Sequence, residues 1–143
     1  MAGYLTVLLD AQDIERSIAF YALLGFEIVD LTRDGARIGW ARIHCEGGGA
    51  IMFVLAAEGE ERHRAHMYLY TDDLAALQKR LHDSGVDAGE IYRPPYMPSG
   101  ELRVEDPDGN VIFVGHWGAD EQQAWERQLD EKRKAGLLPP LLP

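Results

Sequence analysis

The stretch Asp13-Ile-Glu-Arg-Ser-Ile-Ala-Phe-Tyr-Ala-Leu-Leu-Gly25 decides the fold, because its plan returns at Asp73-Leu-Ala-Ala-Leu-Gln-Lys-Arg-Leu-His-Asp-Ser-Gly85. An aspartate caps each helix N-terminus, Asp13 in the first and Asp72 or Asp73 in the second, and each segment ends on a glycine suited to a left-handed C-terminal cap. Between them, Ile14, Ile18 and Tyr21, and then Leu74, Leu77 and Leu81, fall on one helical face. Outward from the first helix, Tyr4 to Leu9 reads as a short strand closing at Asp10, and Phe26 to Leu31 as a second. Arg37 to Cys45 and Ala50 to Leu55 follow across the turns at Asp34-Gly35 and Gly47-Gly48-Gly49, giving β-α-β-β-β. The second half repeats the order with a strand at His66 to Tyr70, the second helix, and two strands flanking Asp106-Pro-Asp-Gly-Asn110. Subtraction supports a repeat: 73 − 13, 85 − 25, 109 − 49, 111 − 51 and 113 − 53 all equal 60.

Composition sets the outer bounds. The chain has 143 residues, 46% of them apolar, enough for one soluble domain without disulfide or metal staples. Its 14 Lys and Arg against 24 Asp and Glu leave a formal charge of −10, which repels phosphate backbones and argues against a nucleic-acid partner. Cys45 stands alone, so no disulfide framework and no structural zinc cluster is expected, and a reducing, cytoplasmic home follows. No run approaches the roughly 18 apolar residues of a membrane span, and Met1 to Asp10 lacks a basic leader, so neither export nor membrane insertion is expected. The repeat domain is taken as residues 1–117 and a helical tail as 118–143. In that tail Asp120 to Ala135 is helix-prone, with Trp125 and Leu129 forming a narrow apolar stripe that suits docking on the parent domain or a sister subunit.

The two βαβββ units, the run Gln12 to Tyr21 with Leu24-Gly25-Phe26, and Val104-Glu-Asp-Pro-Asp-Gly-Asn-Val-Ile-Phe113 together resemble the vicinal oxygen chelate superfamily, the group of glyoxalases, bleomycin resistance proteins and extradiol dioxygenases. The resemblance spans about residues 4 to 117 and implies an α+β fold in which two tandem βαβββ units form a curved mixed sheet with helices on the convex face, here with a C-terminal helix added. In the metal-dependent members it resembles, His, Gln and Glu side chains on the first and last strands of each unit hold one divalent ion. Counted onto this chain, those positions are Thr6, His66, Phe53 and Phe113. A hydroxyl, an imidazole and two phenyl rings do not supply the three or more donors a stable site needs, so no metal and no other cofactor is expected.

With Phe53 and Phe113 placed on the concave side, strand alternation adds Tyr4 and Thr6 from the first strand, His66, Tyr68 and Tyr70 from the fifth, and Glu101 and Arg103 near the end. Leu102 and Val104 pack on a helix. Trp40 is a further lining candidate, with packing against a helix as the alternative. Such a cleft suits a planar or aromatic compound. Resemblance to the bleomycin resistance branch implies a metal-free homodimer that sequesters its ligand. The alternative is a lyase, isomerase or dioxygenase-type enzyme, metal-dependent or using His66 as general base with Glu101 orienting it. Tyr92, Tyr96 and Met97, in a proline-rich loop, are placed over the cavity mouth.

Overall fold

Two aspartates start the two helices of the repeat in the same way. Asp13 accepts the backbone N–H of Arg16 at 3.0 Å and Asp73 that of Ala76 at 3.0 Å, each satisfying an orphan donor of the first turn. Gly25 (φ +90°) and Gly85 (φ +78°) then turn the chain back through a conformation that a side chain would strain. The computed structural model describes residues 5–59 and 63–139, so Tyr4 lies outside the described residues. The elements are β1 (Val7–Ala11), α1 (Ile14–Leu23), β2 (Phe26–Asp34), β3 (Arg37–Cys45), β4 (Ala50–Leu55), β5 (His66–Thr71), α2 (Leu74–Asp83), β6 (Glu101–Glu105), β7 (Val111–His116) and α3 (Ala119–Lys134).

The strands form two sheets, in the orders β1-β4-β3-β2 and β5-β7-β6, where the sequence reading expects one curved sheet. In both, the first strand of the unit pairs in parallel with the last, as a repeated supersecondary unit requires. The second unit lacks a full counterpart of β2. What remains is a single bridge between Tyr92 and Glu101, because Pro94, Pro95 and Pro98 cannot donate to a ladder. The unit is therefore βαββ with a vestigial edge, and its spare segment becomes the loop from Arg93 to Gly100.

One cluster of helix-facing side chains runs through both units, with Ile14, Tyr21, Ile43, Phe53, Leu81, Leu102 and Val114 almost fully buried. The units are also latched by hydrogen bonds. Tyr21 Oη donates to Asp106 Oδ2 at 2.8 Å, Ser17 Oγ to Asp108 Oδ2 at 3.2 Å, and Arg80 Nη1 to the Leu23 carbonyl at 3.1 Å. Asp106 is itself held by the N–H groups of Asp108 and Asn110, so the Asp106 to Asn110 turn is a rigid abutment for α1.

The strand register corrects one expectation. Leu9 pairs with Phe53, whereas Leu69, its counterpart 60 residues on, pairs with Val114. Since 114 − 53 is 61, the repeat gains one residue between the second helix and the last hairpin. The matching turn glycines are accordingly Gly48 (φ +91°) and Gly109 (φ +84°). Strand side chains alternate with period two, so a shift of one residue reverses the face. Phe53 thus turns to α1, 1% exposed, with its ring centroid 5.5 Å from that of Tyr21, and does not meet Thr6, while Phe113 does lie on the opposite face. Ile51 follows Phe53 into the core, and Met52 and Val54 take the open positions of β4.

Candidate functional site

The face of β5-β7-β6 opposite the core carries three ranks of side chains set by register. His66, Val111 and Glu105 lie across from one another, then Tyr68, Phe113 and Arg103, then Tyr70, Gly115 and Glu101. Burial alternates as this demands: Leu102 and Val104 enter the core, as the sequence reading expects, and Arg103 and Glu105 are exposed. Glu101 breaks the pattern by being fully buried on the side that should be open.

Its burial comes from a cover of tyrosines. Tyr68 donates its hydroxyl to Glu101 Oε2, while Tyr92 and Tyr96 donate to Oε1, the latter at 3.1 Å. Gly115 makes room for this: a Cβ there would stand 2.9 Å from Tyr68 Oη and 2.9 Å from Met97 Cε, closer than carbon atoms pack. The hydroxyls of Tyr68 and Tyr92 are held above the usual value of about 10, that of Tyr68 by burial and then by the carboxylate, that of Tyr92 by its hydrogen bond to Glu101 first.

Beside the carboxylate runs an aromatic strip. Tyr68 stacks on Phe113 (6.2 Å, 13°), Tyr70 leans on Tyr68 (5.1 Å) and on Trp117 (5.6 Å), and Trp117 meets Trp125 of α3 edge-on at 6.1 Å. The start of α3 is pinned here. Glu121 accepts Ser99 Oγ–H at 2.6 Å and the Gly118 N–H at 2.9 Å, which hold its carboxyl below the ordinary range, and His116 stands 3.8 Å away. Tyr70 and Trp117 also border a crevice of about 630 Å³ between the two units, whose other walls include Phe26, Cys45, Asp73 and Arg80. That volume lies within the range of small-ligand sites.

Several candidate residues stand apart. His66 is exposed at the Val111 rank, four positions along β7 from the Gly115 rank of Glu101, or about 13 Å by strand rise. Glu101 spends its lone pairs on tyrosines, so it does not orient that imidazole. Arg103 pairs with Glu105 at 2.9 Å on the rim. Thr6 and Trp40 belong to the other sheet, where Arg42 donates to Thr6 Oγ1 at 3.3 Å and to His44 Nε2 at 2.9 Å, and Trp40 shares the open parity of Arg42. The sequence reading named Tyr92, Tyr96 and Met97 only as a cover, and it left out Gly115, Trp117 and the Trp117 to Trp125 contact. Those three were legible only as a glycine within an apolar strand and as aromatics at the repeat's end.

With the register corrected, the positions a family metal would use are Thr6, Met52 or Val54, His66 and Phe113. A hydroxyl, a thioether or isopropyl group, an imidazole and a phenyl ring do not fit a hard divalent cation. Among the described residues no three His, Cys, Asp or Glu side chains gather closely enough to hold one. Among the same residues, no helix is long and apolar enough to cross a membrane.

Comparison with solved structures places the fold. An antibiotic binding protein, TnmS3 from Streptomyces sp. CB03234, is 21% identical with a TM-score of 0.67, covering 82% of this chain and 98% of its own. A bleomycin-binding protein complexed with bleomycin is 25% identical with a TM-score of 0.56, covering 82% and 100%. Lactoylglutathione lyase from Agrobacterium tumefaciens is 23% identical with a TM-score of 0.60, covering 82% and 98%. No curated protein matches the chain. A family model described as the Glyoxalase/Bleomycin resistance protein/Dioxygenase superfamily matches residues 4–114, most of the chain, and with the paired helix-capped units described above it shows that the protein belongs to that superfamily.

Proposed function

We propose that this protein binds a planar or aromatic small molecule without a metal, on the aromatic strip of the second unit and in the crevice beside it. The observation that carries the reading is the run of Phe113, Tyr68, Tyr70 and Trp117, rings in successive contact on the face of β5-β7-β6 opposite the buried Leu102 and Val104. Tyr70 is 61% exposed, although burying an aromatic side chain is favourable, and stacking adds about 0.5 to 1.5 kcal/mol per pair beyond area burial. The likeness to a bleomycin-binding protein supports the same reading. The working form is proposed to be a homodimer in a reducing compartment. Support comes from the edges: β1 and β5 each pair on one side only, and Leu8, Ile28 and Val29 lie exposed on the first unit.

Titration of a panel of planar compounds, followed by quenching of Trp117 and Trp125 emission and by calorimetry, tests the binding. Saturable quenching that Phe113→Ala or Tyr70→Ala weakens supports it, and silence across a broad panel refutes it. Sedimentation analysis tests the dimer, which should weigh twice the 16.0 kDa of one chain. An enzymatic reading rests on the free imidazole of His66 on the same face, acting as general base. His66→Gln would then abolish turnover of a carbonyl substrate while leaving its binding intact.

A further inference from the structure

We infer that the ligand of the aromatic strip is a cation, a planar compound bearing a protonated amine or amidine, with Glu101 as its anchor. This rests on the binding reading above and names the chemistry the site selects. Glu101 is a fully buried carboxylate that no Lys, Arg or His pairs with among the described residues. A buried charge ordinarily has an opposite charge beside it. Here only tyrosine hydroxyls serve, and all three belong to exposed side chains, Tyr68 of β5 and Tyr92 and Tyr96 of the Tyr92 to Gly100 segment. Tyr96 is the most exposed of the three side chains; its hydroxyl lies 3.1 Å from Oε1 and 3.3 Å from that of Tyr92. A guest N–H⁺ that displaces Tyr96 from Oε1 would gain a charge-assisted hydrogen bond. Its ring would rest on Tyr68, Tyr70 and Phe113, whose π faces attract positive charge.

A second observation points the same way. The crevice that continues the strip carries Glu46, Asp72 and Asp73 against Arg80 alone, and Arg80 Nη1 is engaged by the Leu23 carbonyl at 3.1 Å. On the rim of the strip Arg103 pairs with Glu105, and His116 faces Glu121. The net charge of −10 reinforces the local field.

The test uses three probes with one ring system: 1-pyrenemethylammonium, 1-pyrenemethanol and 1-pyrenecarboxylate, titrated into the full chain at low and moderate salt. The cation should bind about tenfold more tightly than the alcohol, and the carboxylate more weakly than either. Glu101→Gln should bring cation and alcohol within about twofold of each other. Should that variant fail to fold, Tyr96→Phe, at an exposed position, serves instead: removing one of the two hydroxyl donors to Oε1 should strengthen the cation several-fold and the alcohol by less. Equal binding of cation and alcohol to the native protein, or a preference that survives Glu101→Gln, overturns this inference and leaves the binding reading standing. Binding of none of the three overturns both.

Discussion

Replacing Tyr21 by Phe removes one oxygen from the centre of the molecule and leaves everything else in place, which makes its cost calculable. The ring keeps its edge-on contacts with Phe20 at 5.3 Å and Phe26 at 5.7 Å and its tilted contact with Phe53 at 5.5 Å. The hydroxyl's partner, Asp106 Oδ2, keeps the Asn110 Nδ2–H at 2.8 Å, so no acceptor is left bare. What disappears is one buried hydrogen bond of 2.8 Å to a carboxylate, joining residues 85 apart in sequence and the two units in space. Hydrogen bonds to charged groups contribute about 1.5 to 3 kcal/mol, and because Oδ2 stays partnered the lower end applies, about 1.5 to 2 kcal/mol. At roughly 0.3 kcal/mol/K of unfolding entropy for a chain this long, Tm should fall by about 5 to 7 °C. Urea unfolding at neutral pH measures the change directly, and the dependence on denaturant should keep its slope, since the same surface is exposed. A double-mutant cycle with Asp106→Asn should show coupling above about 0.5 kcal/mol. A loss under about 0.5 kcal/mol for Tyr21→Phe, or strict additivity with Asp106→Asn, would refute the claim that this latch joins the units.

Three further outcomes follow from the same contacts. The hydroxyls of Tyr21, raised by burial and then by Asp106, and of Tyr68 and Tyr92, raised beside Glu101, keep their protons in the fold at pH values where a free tyrosine loses them. Their stabilisation is complete below about pH 10 and lost as pH rises past it; in an absorbance titration of the six tyrosines, these three should ionise only on unfolding. Gly115→Ala should cost about 1 to 3 kcal/mol by pushing Tyr68 off Glu101 and should weaken probe binding, measured by urea unfolding and tryptophan quenching; an unchanged protein would show that Tyr68 and Met97 can yield. Glu121, held below its ordinary value by Ser99 and the Gly118 N–H, secures the start of α3 above about pH 4.5 and releases it as pH falls. Trp117 and Trp125 emission should change across that range, and Glu121→Gln should show the acid-like emission at neutral pH.

Local rules settled much of this protein before any coordinates. Capping aspartates, terminal glycines and helical spacing act within a few residues, so both helices were legible from Asp13 to Gly25 and from Asp73 to Gly85, and the chain's superfamily from the repeat with Gln12 to Phe26 and Val104 to Phe113. Alternation likewise placed Tyr68, Tyr70, Glu101, Arg103 and Phe113 on one face. Tertiary structure decided the rest. A single extra residue before the last hairpin set Phe53 and Phe113 on opposite faces, because strand faces alternate and counting across a long gap cannot see an insertion. Only packing brought Tyr92 and Tyr96 over Glu101 from a segment whose prolines forbid a strand, and only the strand register set that carboxylate four positions along β7 from His66. The physical reason is range: propensity and capping are properties of neighbours in sequence, whereas the partner of a buried charge is whatever the folded chain carries to it.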